Sequence, residues 1–314
     1  MKLKALSHYE GDTDTRFGDC ILLYDSTTLI VYDCGHSEHT EAVKSFLRSS
    51  SLVSQVHIVV SHNDSDHTDG VIPLLDYLHT KRCTVTVYSS LYLKSVDKVM
   101  ELLDDGRRTE SATKQHILET FDNIKCIVEK AEEYGFTVTN AEVNTELPSC
   151  SIVGPTDDEF VAVVAQAIED DTVTQIEGET VMNAASVQLK CELDSKTTVL
   201  LCGDASPTYL NDLEDYDVIQ LPHHGQLADA EEVFDKLKNA GSKLFLVSDN
   251  TGSDATSGGS DNLMKSDSRK GKRIKNTKDG VVEFPEELRY DSGGITTRSG
   301  IYIPSTQKTG GYGA

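Results

Sequence analysis

Within Ser61-His62-Asn63-Asp64-Ser65-Asp66-His67-Thr68-Asp69-Gly70, two histidines and two aspartates fall between positions 62 and 67, directly behind the apolar run 56–60. No other stretch constrains the chain as tightly. A buried strand that ends in such a cluster delivers imidazole and carboxylate groups to one point. Those are the borderline and hard ligands that zinc, manganese or iron accept. A strand-to-helix turn can send His62 and Asp64 to one ion and Asp66 and His67 to a neighbouring one. A plainer reading is a polar loop in which Asp66 or Asp69 caps a helix starting near Gly70. Capping does not account for histidines on both sides of the acids.

Around this segment, the hydrophobic pattern alternates between short apolar runs and helical periodicity. Residues 20–24 and 29–32 read as a hairpin closed by Asp25-Ser26-Thr27-Thr28. Helices are expected at 41–47 and 70–79, with strands at 56–60 and 83–88. Residues 90–134 carry helical spacing and read as a helical layer or insertion. Strand character returns at 151–153, followed by a helix at 157–168. A second hairpin, 186–193 with 197–201, leads into Gly203-Asp204. Residues 217–221 form a strand ending at Pro222-His223-His224-Gly225, then a helix at 231–240 and a strand at 243–247.

Two of these strand ends can partner the first cluster. Asp204 is placed where a carboxylate can bridge two ions. Of His223 and His224, adjacent side chains that point apart, one can serve as a ligand and the other can contact substrate or protonate a leaving group. His79 and His116 sit outside the pattern and read as surface or packing residues.

His62-x-Asp64-x-Asp66-His67, Gly203-Asp204 and His223-His224-Gly225 together resemble the metallo-β-lactamase superfamily. They are most similar to the hydrolase domain of competence-type DNA-uptake proteins, which carry Asp at the second signature position. Gly18-Asp19-Cys20, Val31-Tyr32-Asp33-Cys34-Gly35 and Asn183-Ala184-Ala185-Ser186 add to the likeness. The resemblance implies an α/β fold, an αββα sandwich of two mixed β-sheets flanked by helices, over residues 1–248. Residues 249–314 are then a flexible basic loop and a C-terminal strand extension. It implies one or two zinc ions, with manganese or iron as alternatives. His62 and Asp64 would hold the first, Asp66 and His67 the second, and Asp204 would bridge them. His223 is taken to complete the second set, leaving His224 as proton donor and Asp66 to orient or deprotonate the nucleophile. Asp33 would orient the ligands. The superfamily's further histidine for the first metal has no counterpart near Asn183, which stands as its weak substitute.

The implied activity is a metal-dependent hydrolase, foremost a phosphodiesterase or nuclease using metal-activated water. Hydrolysis of a lactam, thioester or phosphocholine ester, and a non-catalytic metal-binding scaffold, are the other readings. A net charge of −23 argues against passive nucleic-acid binding through many Lys and Arg contacts. It leaves open a phosphodiester substrate such as nucleic acid or a nucleotide, with positive charge supplied locally by metal. Lys265, Arg269, Lys270, Lys272, Arg273, Lys275 and Lys278 form the one basic run, either a polyanion-binding segment or a solvated mobile loop. The 7 cysteines are scattered without a C-x-x-C pair, so they read as reduced core thiols rather than a zinc site. No membrane span or secretory leader is legible, and a cytoplasmic location is expected.

Overall fold

The computed structural model describes residues 1–8, 18–90, 121–169, 175–176, 179–180, 183, 185–250, 259–285, 289–291, 294–296 and 302–304. Two seven-stranded mixed sheets form its centre. The first has the order β16-β1-β2-β3-β4-β5-β6, from Val282–Phe284, Lys2–Ala5, Ile21–Tyr24, Thr28–Tyr32, Gln55–Val59, Thr84–Ser89 and Thr137–Asn140. The second has the order β15-β14-β13-β12-β11-β8-β7. Its strands are Arg273–Asn276, Leu244–Val247, Val218–Gln220, Thr198–Leu201, Gln188–Glu192, Cys150–Gly154 and Glu146–Leu147. A two-stranded pair, β9/β10 (Gln175–Ile176, Glu179–Thr180), and a three-stranded sheet, β17–β19 (Arg289–Asp291, Gly294–Thr296, Tyr302–Pro304), lie outside both.

Strand parity explains the layering, because successive side chains point to opposite faces. On β3, Ile30 and Tyr32 join Leu23, Leu189 and Leu201 in the core between the sheets. Leu29 and Val31 face outward, against Leu74, Leu78, Ile124 and Ile127. These last four come from helices Val71–His79 and Asp122–Glu133. On β12, Val199 and Leu201 point inward, while Leu200 packs with Val233 and Phe234 of helix Leu227–Asp235. Burial on both faces is why these strands read as continuous apolar runs. The arrangement is the expected αββα sandwich.

Each sheet has a parallel half, β3-β4-β5-β6 and β12-β13-β14-β15. The carboxyl ends of those strands carry Asp33, Ser61-His62, Gly203-Asp204, His223-His224 and Ser248. Functional side chains therefore gather where the two parallel halves meet.

Two expectations from sequence change. The basic run is not a free loop throughout, since Arg273–Asn276 pairs in parallel with β14; beyond it, Val282–Phe284 of the expected strand extension pairs antiparallel with β1. A boundary at 248 therefore cuts both sheets, each of which takes an edge strand from beyond it. Residues 91–120 of the helical stretch, including His116, and 251–258 of the Gly/Ser-rich loop lie outside the described residues. No helix among the described residues is long and apolar enough to cross a membrane. All seven cysteines are free thiols, five of them buried.

Candidate metal centre

The short helix Ser65–Thr68 starts at Asp64, whose side chain makes no capping bond. Asp69 ends that helix and Gly70 is the N-cap of the next, so neither Asp66 nor Asp69 caps the start of the helix that follows. The acids are free to face inward. Gly18 fits the segment closely: a Cβ there would stand 1.6 Å from the Asp66 carbonyl oxygen, and its φ is +57°. Only glycine tolerates both conditions.

His67 and His224 converge from opposite sheets. The two rings stack with centroids 5.3 Å apart. His67 Nε2 lies 3.4 Å from Asp204 Oδ2, and His224 Nε2 lies 3.7 Å from the same oxygen and 3.2 Å from Asp66 Oδ2. His62 Nε2 flanks this group, 4.0 Å from Asp204 Oδ2 and 3.8 Å from Asp64 Oδ2. Among the described residues, Asp19, His67, Asp204 and His224 form a set whose ligand atoms all lie within 4.8 Å of one another. Asp19 stands behind His224, however, since its Oδ1 accepts from His224 Nδ1 at 3.1 Å and its Oδ2 accepts from Gln220 at 2.6 Å. Asp66, on the Nε2 side, is better placed to complete the set.

The placement of the histidine pair reverses the sequence-based preference. His223, His224 and Gly225 all have positive φ, 52°, 55° and 79°. That turn sends the His224 ring into the cluster and leaves His223 partly exposed, with Nδ1 3.6 Å from Asp229 Oδ2. Consecutive non-glycine residues in this region are strained and persist where surroundings over-determine them. Asp33, also at positive φ, accepts from Ser61 N–H at 2.7 Å and from His67 Nδ1 at 2.9 Å, fully buried. Asn183 is buried, and its carbonyl accepts the Ser186 N–H. Val187 N–H then bonds the Ser61 carbonyl, which ties this segment to the strand end that carries His62.

Electrostatics favour a cation. Asp19 and Asp33 are fully buried and Asp204 nearly so. Among the described residues, histidine is the only titratable partner within ion-pairing distance of them. Buried charge of one sign calls for compensation. Burial opposes protonation of His67, yet Asp204 and Asp33 raise it well above the usual imidazole value. His224 is raised likewise by Asp204, Asp19 and Asp66 against the same burial. Burial acts against ionisation of Asp204, but His224 and His67 hold its carboxyl well below the ordinary range. Asp66 is lowered by His224 and His67 despite its burial. His62 goes the other way, pushed down to about 4 by burial and by His67. Burial, joined by Asp66 and Asp204, raises Asp64. His62 Nε2, His67 Nε2 and Asp204 Oδ1 are buried without a hydrogen-bond partner. Such atoms need an explanation, and a cation bound where His62 Nε2 and His67 Nε2 both approach Asp204 provides one.

Asp19 is the residue that sequence reasoning left unassigned. Its place in Gly18-Asp19-Cys20, just ahead of β2, was the available signal.

No family model and no curated protein matches the sequence. Solved structures similar to it include the metallo-beta-lactamase fold protein YhfI from Bacillus subtilis. That match has 12% identity, covers 90% of this chain and 100% of the other, and has a TM-score of 0.49. Human tRNase Z, short form, is 13% identical over 87% of this chain and 89% of its own, with a TM-score of 0.40. A long form RNase Z from yeast is 14% identical over 78% of this chain and 36% of its own, with a TM-score of 0.37. At such distance these likenesses do not speak to activity.

Proposed function

We propose that the chain is a metal-dependent hydrolase of the metallo-β-lactamase superfamily that cleaves phosphodiesters, as a phosphodiesterase or nuclease. The observation that carries this reading is the convergence of Asp66, His67, Asp204 and His224, with the buried His67 Nε2 unsatisfied and 3.4 Å from Asp204 Oδ2. Those four side chains would hold one zinc or manganese ion. His62 and Asp64 would hold a second, sharing Asp204, with Asn183 as a weaker contributor. Asp64, together with Asp19-Cys20 and Asp33-Cys34-Gly35, supports a place near the competence-type hydrolase domains.

A bound cation supplies Lewis acidity toward water and phosphoryl oxygens. The residues supply the rest. Asp66, with Oδ2 3.2 Å from His224 Nε2, would orient the attacking water or take its proton. His223 stands at the rim with its side chain 21% exposed and Asp229 beside it. There it can give a proton to the departing oxygen, a contribution of about 10²–10⁴-fold where a side chain is so positioned.

Hydrolysis of bis-p-nitrophenyl phosphate with Mn²⁺ or Zn²⁺ tests the reading. His224→Ala should lose both bound metal and turnover. His223→Ala should keep the metal and lose turnover on this scale. If nitrocefin is cleaved and the diester is not, the phosphodiester assignment fails; if metal binds and neither substrate reacts, hydrolysis itself fails.

A further inference from the structure

Gln220 closes β13 and is buried, at 1% exposure, behind the metal centre. Its side chain is a polar insertion in an apolar strand, and every polar atom of it is accounted for. Oε1 accepts the backbone N–H groups of Cys202 at 3.0 Å and Gly203 at 3.3 Å, the turn that presents Asp204. Nε2 donates to Asp19 Oδ2 at 2.6 Å. Asp19 Oδ1 accepts from His224 Nδ1 at 3.1 Å, and the Ser248 carbonyl accepts from the same nitrogen at 3.0 Å.

The polarity of this chain has one solution. Backbone N–H groups only donate, so the oxygen of the amide must face Cys202 and Gly203. Its NH₂ must then face Asp19, which has to be an acceptor at Oδ2. The Ser248 carbonyl can only accept, so His224 carries a proton on Nδ1, and Asp19 Oδ1 accepts from that nitrogen as well. Nε2 is then the nitrogen turned to Asp66 and Asp204, the side on which a cation would replace a proton. Asp33 does the same for His67, since one oxygen takes the Ser61 N–H and the other takes Nδ1. His62 has no such brace. Its Nδ1 meets the Ser61 hydroxyl at 2.9 Å, and a hydroxyl can donate or accept.

We infer that Gln220 is a positioning residue for the cation: through Asp19 it fixes the tautomer and aim of His224, and through the 202–203 backbone it fixes Asp204 in the same frame. One side chain thereby registers ligands from two strand ends. The inference rests on the metal-centre reading above and adds to it a residue, a hydrogen-bond polarity and an order of strength between the two ion positions. The His67/His224 position is the preorganised one. The His62/Asp64 position fills second and more weakly.

The test is Co²⁺ binding to the full chain, read by its visible absorption and by competition with a chromophoric chelator, alongside the melting temperature of the metal-free protein. Gln220→Glu keeps the size and the acceptor toward Cys202 and Gly203 but sets a carboxylate against Asp19. Asp19→Asn sets an NH₂ group against either the Gln220 NH₂ or the His224 Nδ1–H. Each should weaken the tighter Co²⁺ by about 10–100-fold, the usual cost of removing a partner behind a ligating histidine. The exchange variant Asp19→Asn/Gln220→Glu restores a donor opposite an acceptor at every link with the same net charge. It should recover affinity to within about threefold of the wild type, and its Co²⁺ spectrum. Single variants that bind as the wild type does overturn the inference. So does an exchange variant no better than the singles. If the singles fail to fold, the exchange variant decides alone, and its own failure to fold counts against the polarity argument. A wild-type protein that takes up no Co²⁺ sinks the metal-centre reading, and this one with it.

Discussion

Replacing Gly18 by alanine separates a steric role from a conformational one. The added Cβ would lie 1.6 Å from the Asp66 carbonyl oxygen, 2.4 Å from its carbon and 2.7 Å from the Asp66 Cβ. None of these is the movable tip of a long side chain, so the 18–20 segment or the Asp66 turn must shift. Left-handed φ costs a non-glycine residue roughly 1–2 kcal/mol, and forcing volume into a packed site adds about 1–3 kcal/mol. Gly271 supplies the control, because its φ is +74° and a Cβ there meets nothing within 4 Å. Gly271→Ala should therefore show the conformational cost alone. Unfolding entropy scales with chain length at about 2.1 cal/mol/K per residue, so each kcal/mol shifts the melting temperature of this chain by roughly 1.5 °C. Gly18→Ala should lower it by about 3–8 °C, and Gly271→Ala by about 1.5–3 °C. Gly18→Ala should also weaken metal binding, because Asp19 and Asp66 flank the contact and Asp19 N–H bonds the Asp66 carbonyl. Thermal unfolding of both variants with and without Zn²⁺ makes the comparison. Equal losses at the two glycines, with unchanged metal affinity, would refute the packing argument.

Cation binding should itself raise stability. At a free Zn²⁺ concentration a thousand times its dissociation constant, linkage gives about 4 kcal/mol, or roughly 6 °C here by the same entropy scaling. EDTA should reverse the gain, and a melting temperature indifferent to both would contradict a cation at the buried carboxylates. Truncation after Ser248 removes β15 and β16, the edge strand of each sheet. It also removes Asn250, whose side-chain NH₂ donates to the Gly18 carbonyl at 2.8 Å and whose side-chain oxygen accepts the His8 N–H at 2.9 Å. The shortened chain should be recovered aggregated or should melt many degrees lower, whereas a shortened chain of native stability would restore 248 as a domain boundary.

The strands were legible because burial on both faces leaves an unbroken apolar run, as in Ile21–Tyr24 or Leu244–Val247. β15 was not. In Arg273-Ile274-Lys275-Asn276, parity sends Ile274 toward the helix-covered face while charged neighbours flank it. An edge strand so short carries too few apolar positions to stand out from its basic surroundings. The choice between His223 and His224 was illegible for another reason. Adjacent histidines differ only in the backbone turn that aims them, and three consecutive positive φ values are a property of the packed strand end.

Asp19 and Gln220 show what a motif leaves out. Ligand types and their spacing are local, so the 62–67 cluster announces itself in ten residues. The groups that make those ligands usable are bonded across 201 and 205 positions of sequence. What does survive in the sequence is an anomaly: a glutamine inside the apolar strand 217–221 and an aspartate at the mouth of another. A buried polar side chain costs free energy unless its bonds are met. Each such residue in an otherwise apolar strand therefore marks a partner that must exist elsewhere. Here the partners are a backbone turn and an imidazole, and their donors and acceptors can be ordered in only one way. The direction of the hydrogen bonds, rather than proximity alone, links Gln220 to the orientation of the His224 ring.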